Sequence, residues 1–309
     1  MKILFKGEWV EAGSKADEDG AFKRKETDFR DSISPDGKFK PEKDRYAIYV
    51  SYACPWACRT LMMRKLKGLE DIISLYVVNP LMLENGWTFE DYSGVIKDDV
   101  INAKYMYELY LKDNPNFTGD VTVPVLYDKK LNKIVNNESS EIIRIFNSSF
   151  NGYGANDKDF YPEELRDEID KINDIVYENV NNGVYKAGFA TSQEVYEKEV
   201  KNIFKTLDYL EEHLEGKDYL VGNRLTEADI RLFTSLIRFD PVYFGNFKCN
   251  LRQLKDYKNL WNYTKRIYNL EGMAETVNFD HIKNHYYRSH PDINPNGIVP
   301  LGPDEDLSL

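Results

Sequence analysis

A chain of 309 residues has room for about two domains, each large enough to bury its own core. Its 52 acidic residues outnumber 41 Lys and Arg, and the resulting net charge of −11 argues against nucleic-acid binding, which needs a basic cluster. The nearest basic run, residues 23–25, is flanked by acids. A hydrophobic fraction of 42% argues against disorder, and no apolar run approaches the ~20 residues of a membrane span. Early charges interrupt any secretory signal, which predicts a cytoplasmic protein.

The first half of the chain alternates short apolar segments with helix-forming ones after a polar start. Residues 1–45 are turn-rich and lack periodicity, which predicts an irregular N-terminal arm on the surface. Strands are then predicted over 46–51, 72–78, 121–127 and 133–136, and helices over 57–67, 104–112 and 138–147. This order predicts an α/β domain over residues 46–150. The loop 79–100 is longer than a typical connection, which favours a functional loop.

The second half is dominated by amphipathic helical patterns. Helices are predicted over 163–180, 192–214, 226–240 and 260–267. Thr226 and Asp229 match a capping box in which Asp takes the place of the usual Glu. We therefore expect an all-α domain over residues 160–290 and a C-terminal tail over 291–309. The predicted fold class is an α/β domain followed by an all-α domain.

The sharpest local feature of the sequence is Cys54, which precedes Pro55 at the junction between a predicted strand and a helix. Backbone N–H groups and the positive end of the helix dipole favour a thiolate at such a position. Pro55 suits the first helical position, because its fixed φ fits the helix and no N–H is needed there. A cysteine chosen at random is most often a small buried hydrophobic residue. The combination of strand, Cys-Pro and helix favours a reactive thiol instead.

The spacing of the cysteines predicts which thiol chemistry follows. An internal dithiol needs a second cysteine at the position of Ala57, and a bridge from Cys54 to Cys58 would distort the first helical turn. With Cys249 the total is three, which does not form a disulfide framework. A lone activated cysteine is normally resolved by an external thiol, and the abundant one in the cytosol is glutathione. We therefore expect glutathione as co-substrate.

Two further segments are suited to holding a small peptide thiol. In a thioredoxin-like sheet, a cis-proline at Pro124 would turn the main chain of Val123 toward the reactive cysteine; the alternative is an ordinary edge-strand proline. Glu138 and Ser139 open a helix, where Ser is a good N-cap and Glu a good first-turn acid. Capping alone explains that pair. In a binding role, Ser139 would hold the γ-glutamyl carboxylate and Glu138 its ammonium group.

Six motifs are distributed along the chain, three in the α/β domain and three in the helical domain and tail. They are Cys54–Ala57, Val121–Leu126, Asn137–Glu141, Gly183–Ala190, Arg238–Asn250 and His285–Pro303. Together they resemble the xi class of glutathione transferases, the glutathionyl-hydroquinone reductases. The similarity covers residues 37–303, and the last three motifs are specific to that class. The first three also occur in the wider glutathione transferase and omega-class group.

The resemblance implies a thioredoxin-like N-terminal domain, a helical glutathione transferase domain and a homodimer that reduces glutathionyl-hydroquinones. Cys54 would attack the sulfur of the conjugate, release the hydroquinone and form a mixed disulfide that a second glutathione resolves. The family pattern places Tyr185, Tyr243 and Tyr286 at the hydroquinone hydroxyls. It also places Trp87 over the glutathione, beside the roles already given to Val123, Pro124, Glu138 and Ser139.

The sequence departs from the family pattern at two positions. Asp120 lies in a segment where the family commonly has a basic residue that helps to hold glutathione. Cys58 stands where the family usually has a histidine. The first departure removes a positive charge near the expected glutathione site. The second removes a hydrogen-bonding partner near Cys54 and adds an oxidisable thiol.

Three of the four histidines, His281, His285 and His290, lie in one C-terminal stretch. The spacing of the first two would place both imidazoles on one helix face, as in a metal site. No acid or cysteine nearby completes such a site. We therefore expect these side chains to line a substrate pocket, and we expect no metal.

Two alternative functions remain open. An omega-like thiol transferase or dehydroascorbate reductase would use Cys54 on other mixed disulfides. A non-catalytic glutathione-binding protein would keep the fold without turnover, and Asp120 and Cys58 are the features that favour it.

Overall fold

The computed structural model describes residues 2–13, 16–17 and 19–309; the predicted arm includes Met1, Ser14, Lys15 and Glu18, which lie outside the described residues. The chain divides into two compact units. Unit 1 comprises Met1–Gly13, Lys25–Lys158 and Asp280–His285. Unit 2 comprises Ser14–Arg24, Asp159–Phe279 and Tyr286–Leu309.

Unit 1 is built on a four-stranded mixed sheet in the order β4-β3-β5-β6. Its strands are β3 (Tyr46–Val50), β4 (Ile73–Val77), β5 (Val125–Asp128) and β6 (Lys133–Asn136), and its helices are α1 (Pro55–Leu66), α2 (Tyr107–Asp113) and α3 (Ser139–Ser148). Strand β3 runs parallel to β4 and antiparallel to β5. All five residues of β3 are buried, as expected for a central strand. The predicted α/β unit is therefore confirmed, with a sheet of the thioredoxin-like kind.

The third predicted strand, 121–127, is too long at its start. Strand β5 begins at Val125, because Pro124 has no N–H with which to join the ladder. The peptide bond between Val123 and Pro124 is cis, as expected from the sequence.

The expectation of an irregular N-terminal arm is wrong for its first residues. Strands β1 (Lys2–Phe5) and β2 (Glu8–Glu11) form an antiparallel hairpin. Its turn passes through Gly7 at φ 85°, where a side chain would meet the Pro115 carbonyl oxygen. Leu4 is fully buried and pairs with Gly119. A single buried side chain in so short a segment gives no periodicity, which is why the sequence pattern does not reveal the hairpin.

Unit 2 is helical, with a distribution of segments that differs from the predicted long helices. The α-helices lying wholly in it are α4 (Arg166–Val176), α5 (Gly183–Gly188), α6 (Gln193–His213), α7 (Glu227–Leu236) and α8 (Lys258–Tyr268). Helix α9 (Phe279–Arg288) begins at the last residue of one segment of unit 2, and its residues are divided between the units. Helices α5 and α9 lie outside the predicted set. No helix among the described residues is long and apolar enough to cross a membrane.

The predicted helices 163–180 and 226–240 are interrupted by local changes in winding. The first opens with a 3₁₀ turn at Glu163–Leu165 and ends in a π-helical segment at Tyr177–Asn181. The second ends at Leu236 and is followed by a π-helical segment at Phe239–Tyr243. Pro241 lies inside that segment and has no N–H for the regular helical ladder.

The predicted capping box at the start of α7 is confirmed. The Asp229 carboxylate accepts from the Thr226 backbone N–H at 2.8 Å, and both halves of the box are present. Both residues are fully buried.

Candidate active site

Cys54 occupies the N-cap of α1, at the end of the loop that follows β3. Its Sγ accepts from the Ala57 backbone N–H at 3.5 Å and lies 3.5 Å from the Val123 carbonyl oxygen, to which the thiol can donate. The side chain is partly exposed. Pro55 takes the first helical position, as predicted. Cys54 is therefore partly exposed, and its sulfur lies at a helix N-terminus, where the Ala57 N–H group and the helix dipole stabilise negative charge.

Val123, the residue before Pro124, lies beside Cys54, in the position that the sequence prediction gave it. The 3.5 Å contact between Cys54 Sγ and the Val123 carbonyl oxygen brings the residue before the cis-proline to the cysteine. The Val123 side chain is buried, with 6% of its surface exposed. Its main chain is thus held beside the sulfur.

At the start of α3 the capping roles differ from those expected. Glu138, rather than Ser139, is the N-cap; its carboxylate accepts from the Ser140 backbone N–H at 3.0 Å and from the Ser140 hydroxyl at 2.8 Å. Ser139 is the first helical residue and accepts from Arg59 Nη1 at 3.3 Å. The longer Glu side chain can reach back to the helix N–H group and displace Ser from the cap. Ser139 is thereby left for a different partner.

Arg59 is a residue that the sequence prediction missed. Only 1% of it is exposed, and its guanidinium lies 4.5 Å from the ring centroid of Trp56. It reaches Ser139 across 80 residues of sequence. The available signal was a single Arg inside an otherwise apolar stretch of α1.

Trp87 lies in the predicted functional loop and is buried, with 6% exposed. Its ring stacks on His285 with centroids 4.8 Å apart and 22° between the planes. His285 Nδ1 is 2.9 Å from the Pro80 carbonyl oxygen. The histidine therefore fixes the orientation of the tryptophan within unit 1.

The three predicted tyrosines are brought together in unit 2. The Tyr286 hydroxyl is 2.5 Å from that of Tyr185 and 3.1 Å from that of Tyr243. Tyr243 and Tyr286 are buried, whereas Tyr185 is half-buried. We call these three residues the tyrosine cluster. It joins positions separated by as many as 101 residues.

Burial raises the pKa of Tyr243 and Tyr286 well above the usual value, and the neighbouring phenols add to this effect. The nearby charge of Arg238 opposes it. Arg238 is itself fully buried, and its Nη1 donates to the Thr234 carbonyl oxygen at 2.8 Å. The phenols are therefore protonated at neutral pH and can donate hydrogen bonds.

Phe247 lies at the centre of the aromatic packing around the cluster. Its ring stacks on Tyr243 with centroids 5.5 Å apart and meets Tyr286 edge-on at 5.4 Å. A side chain at Gly188 would come within 2.3 Å of the Phe247 ring. The glycine is required because α5 and the phenylalanine ring approach so closely.

The histidines do not gather into a metal site. His281 Nε2 is 2.6 Å from the Ser93 carbonyl oxygen, and burial lowers the pKa of this residue. His290 packs edge-on against Phe189. Among the described residues no group of three or more His, Cys, Asp or Glu is placed to hold a metal ion.

The two departures from the family pattern have distinct surroundings. Cys58 is buried on α1 and donates its backbone N–H to the Cys54 carbonyl oxygen at 3.0 Å. Asp120 lies close to Asp28, whose pKa is raised by burial and then by the Asp120 charge, with Lys25 opposing. Asp120, in the segment leading to the cis-proline, and Asp28, from the N-terminal part of the chain, are therefore two acids that lie close together.

Comparisons with known proteins agree with this geometry. The family model described as glutathione S-transferase, N-terminal domain, matches residues 53–149, and the corresponding C-terminal domain model matches residues 193–266. The chain is 55% identical to glutathionyl-hydroquinone reductase YqjG of Escherichia coli, over 93% of this chain and 90% of that protein. It is 52% identical to glutathionyl-hydroquinone reductase PcpF of Sphingobium chlorophenolicum, over 99% and 98%.

Solved structures give the same result. The glutathione-bound structure of YqjG superposes with a TM-score of 0.92 at 52% identity, covering 99% of this chain and 97% of that one. The Xi glutathione S-transferase of Phanerochaete chrysosporium superposes with a TM-score of 0.93 at 53% identity, covering 96% of each. Similarity of this extent, over both domains and with Cys54 at the N-cap of α1, establishes that the chain belongs to the glutathione S-transferase family, in the group of Xi-class enzymes and glutathionyl-hydroquinone reductases.

Proposed function

We propose that this protein reduces S-glutathionyl-hydroquinones to hydroquinones with glutathione as co-substrate. The observation that carries the proposal is the placement of the partly exposed Cys54 sulfur at the N-cap of α1, beside the main chain of Val123. A thiolate there attacks the thioether sulfur of the conjugate. The names of the relatives at 52–55% identity support the same reaction.

The reaction proceeds in two steps, and in each step a thiolate attacks a sulfur atom. In the first, the Cys54 thiolate forms a bond to the glutathionyl sulfur while the bond from that sulfur to the ring carbon breaks. Before that bond breaks, the ring carbon that bears sulfur takes up the proton of a ring hydroxyl. The electron pair of the broken bond then passes to the ring oxygen as a phenolate, which takes up a proton and leaves as hydroquinone. In the second, a glutathione thiolate attacks the mixed disulfide, releases Cys54 and forms glutathione disulfide.

We assign the binding of the glutathionyl group to four features of unit 1. The main chain of Val123, before Pro124, pairs with the cysteinyl part of glutathione. Ser139 and the N–H groups at the start of α3 bind the γ-glutamyl carboxylate, and Glu138 binds the ammonium group. Trp87, held by its stacking on His285, covers the peptide. The buried Arg59 positions the Ser139 hydroxyl.

We assign the hydroquinone hydroxyls to the tyrosine cluster. The three phenol groups offer hydrogen bonds to the oxygens on which negative charge develops as the carbon–sulfur bond breaks. Tyr286 holds a central place, because its hydroxyl contacts those of both Tyr185 and Tyr243. Replacing each by Phe is expected to lower kcat more than it changes the KM for glutathione.

The proposal is tested by incubating wild type and Cys54→Ala with glutathione and glutathionyl-menadione that has been reduced to its hydroquinone, as in every assay below. We expect wild type to release menadiol and glutathione disulfide in equal amounts, and the variant to release none. Cys58→Ala is the matched control, because it removes the other thiol of α1, and it is expected to retain turnover.

Four other outcomes would change the assignment. Activity confined to small mixed disulfides would indicate an omega-like thiol transferase, and activity on dehydroascorbate would indicate that reductase. Absence of turnover together with absence of a Cys54 adduct by intact mass would indicate a non-catalytic glutathione-binding protein. Turnover that survives in Cys54→Ala would overturn the role of the nucleophile.

We further propose that the protein is a cytoplasmic homodimer with domains at residues 46–150 and 160–290, an N-terminal segment at 1–45 that begins with the β1–β2 hairpin, and a tail at 291–309. The similarity to the glutathione transferase family supports these assignments. Sedimentation velocity of the purified protein tests the dimer.

A further inference from the structure

We propose that Arg24 supplies a positive charge to the Tyr185 end of the tyrosine cluster and makes the site selective for aromatic leaving groups that depart as phenolates. Arg24 is thereby a positioning and specificity-determining residue of the reaction. The inference rests on the proposed function and deepens it. It concerns the N-terminal segment, which the sequence prediction treated as an irregular surface arm.

The segment before Arg24 is tied to unit 2 by local contacts. Ala16 pairs with Phe22, and the Asp17 backbone N–H donates to the Ala21 carbonyl oxygen at 2.9 Å. The Gly20 carbonyl oxygen accepts from the Thr191 backbone N–H at 3.1 Å. These bonds fix the chain immediately before the arginine.

Phe22 then packs onto the aromatic group that contains the cluster. It is buried, and its ring stacks on Tyr185 with centroids 6.3 Å apart and on Phe189 at 5.6 Å. Aromatic pairs of this geometry contribute beyond their buried area. Phe22 therefore serves as the anchor that holds the following residues against Tyr185.

Arg24 lies over the ring that Phe22 reaches. Its guanidinium carbon is 5.0 Å from the Tyr185 ring centroid and 5.4 Å from that of Phe22. Its Nε donates to Asn182 Oδ1 at 3.0 Å. The hydrogen bond fixes the direction of the planar guanidinium, so its charge has a defined place above the phenol.

The charged and titratable groups around Tyr185 show what this cation adds. The Tyr286 hydroxyl contacts the hydroxyls of both Tyr185 and Tyr243. The charge of the buried Arg238 acts on Tyr243 and Tyr286. His290 is in ring contact with Tyr286 at 6.3 Å. Next to Tyr185, Lys186 is paired with Glu178, which offsets its charge. Arg24 is a cation held against the half-buried ring of Tyr185, whereas Arg238 acts on Tyr243 and Tyr286.

A cation near Tyr185 would stabilise the negative charge that develops on the leaving group during carbon–sulfur cleavage. The ring carbon that bears sulfur first takes up the proton of a ring hydroxyl, which gives the keto tautomer; when the carbon–sulfur bond then breaks, its electron pair enters the π system and the charge is carried by the ring oxygen as a phenolate until that oxygen is protonated. A fixed positive charge stabilises that phenolate and the phenol hydrogen bonds directed to it. Leaving groups without an ionisable hydroxyl gain nothing from it.

The test compares Arg24→Met, which keeps the length and removes the charge, with Arg24→Lys, which retains a charge. With glutathionyl-menadione we expect Arg24→Met to lower kcat about tenfold with little change in KM, and Arg24→Lys to recover most of the loss. The matched control is Arg252→Met, whose guanidinium carbon lies 4.4 Å from the Tyr257 ring centroid away from the cluster. We expect that variant to match wild type.

A second measurement does not depend on turnover. Binding of 4-nitrophenol is followed by the colour of its phenolate as pH is varied. We expect wild type and Arg24→Lys to lower the pKa of the bound phenol, and Arg24→Met to raise it by about one unit relative to wild type. Tyr286→Phe shows whether the phenol binds at the cluster, because it is expected to weaken that binding.

The outcomes separate this inference from the proposed function. If wild type fails to turn over glutathionyl-menadione but still binds 4-nitrophenolate in an Arg24-dependent way, the proposed reaction fails and the role of Arg24 stands. Equal kcat values and equal phenol pKa values in wild type and Arg24→Met would overturn the inference. A loss in Arg24→Met that Arg24→Lys does not restore would also overturn it, since shape rather than charge would then be responsible.

Discussion

Cys54 and Cys249 lie in different surroundings, from which we expect different reactivities. Cys54 is partly exposed and accepts a hydrogen bond from a helix N–H group. Cys249 is fully buried, and burial raises the pKa of its thiol far above the ordinary value. We therefore expect the same functional group to be a nucleophile at Cys54 and inert at Cys249.

This contrast predicts selective alkylation. With iodoacetamide near neutral pH, Cys54 is expected to react at least about tenfold faster than Cys249, because only a thiolate attacks the reagent. Peptide mass mapping over a time course measures both rates. Lowering the pH well below 8 is expected to spare the Cys54 rate, and equal pH profiles for the two thiols would contradict an activated Cys54.

A second prediction concerns the acidic residue before the cis-proline strand. Asp120→Lys replaces a negative charge that acts on Asp28 by a positive one near the expected glutathione site. We expect the KM for glutathione to fall about threefold, the size expected of a partly exposed ion pair. Steady-state kinetics at low salt measure the change. Asp36→Lys makes the same charge change elsewhere in unit 1, and an equal effect there would assign the result to net charge alone.

At the scale of elements, a local change in helical winding determines where a side chain of the tyrosine cluster lies. The π-helical segment Phe239–Tyr243 ends on a residue of the tyrosine cluster. A π-helical turn contains an additional residue, which rotates every side chain that follows it. A regular helix through 240 would therefore present a different set of residues to Tyr286.

The capping box of α7 stabilises unit 2 through the hydrogen bonds of the Asp229 carboxylate. The Asp229 carboxylate accepts from the Leu220 backbone N–H at 2.9 Å and from the Tyr263 hydroxyl at 3.0 Å, as well as from Thr226. It thereby joins the start of α7 to α8 and to the preceding loop.

Removing that carboxylate is expected to destabilise the protein. Asp229→Ala leaves two buried donors and a helix N-terminus without their acceptor, so we expect a loss of about 2–4 kcal/mol. The midpoint of urea unfolding, followed by circular dichroism, measures the change. Asp218→Ala is the control, because Asp218 forms only an exposed ion pair with Arg266, and its effect is expected within about 0.5 kcal/mol. Equal shifts for the two variants would contradict the role of the cap.

At the scale of the whole molecule, the C-terminal tail returns to the helical unit. The Glu305 carboxyl lies against Asp240, which accepts from the Leu254 backbone N–H at 2.6 Å and the Lys255 backbone N–H at 3.1 Å. Burial, followed by the charge of Asp240, raises the pKa of Glu305 from its ordinary value of 4.5 to about 8, and Lys255 opposes the shift. The bound tail therefore holds a proton at neutral pH.

The proximity of Glu305 to Asp240 leads us to expect that the tail dissociates from unit 2 at alkaline pH. Because the pKa of Glu305 is higher in the folded state, its contribution to docking is complete below about pH 4.5 and is lost as pH rises through about 8. Hydrogen exchange of residues 303–309, corrected for intrinsic rates, is expected to increase between pH 6 and 9. Glu305→Gln is expected to abolish this pH dependence.

The neighbouring acid supplies the control for the tail. Asp306 accepts from the Ser308 hydroxyl and backbone N–H, and those bonds lower its pKa. Asp306→Asn is therefore expected to leave the alkaline response intact. An unchanged response in Glu305→Gln would contradict the assignment.

The sequence by itself determined the features that depend on near neighbours in the chain. The α/β and all-α order, Cys54 before Pro55 and the Thr226–Asp229 box follow from propensities and caps within a few residues, whereas the sequence left a cis bond and an ordinary edge-strand proline as alternatives at Pro124. The roles expected of Tyr185, Tyr243 and Tyr286 follow from the family resemblance and from no periodicity in the sequence.

Only the tertiary structure decided which distant groups meet. Arg59 reaches Ser139, Leu4 pairs with Gly119, and Arg24 lies over Tyr185. Periodicity identifies the buried face of an element, but it does not identify the face against which that element packs. Contacts of this kind form when long chain segments are brought together by burial, and their specificity depends on the shape of the completed core.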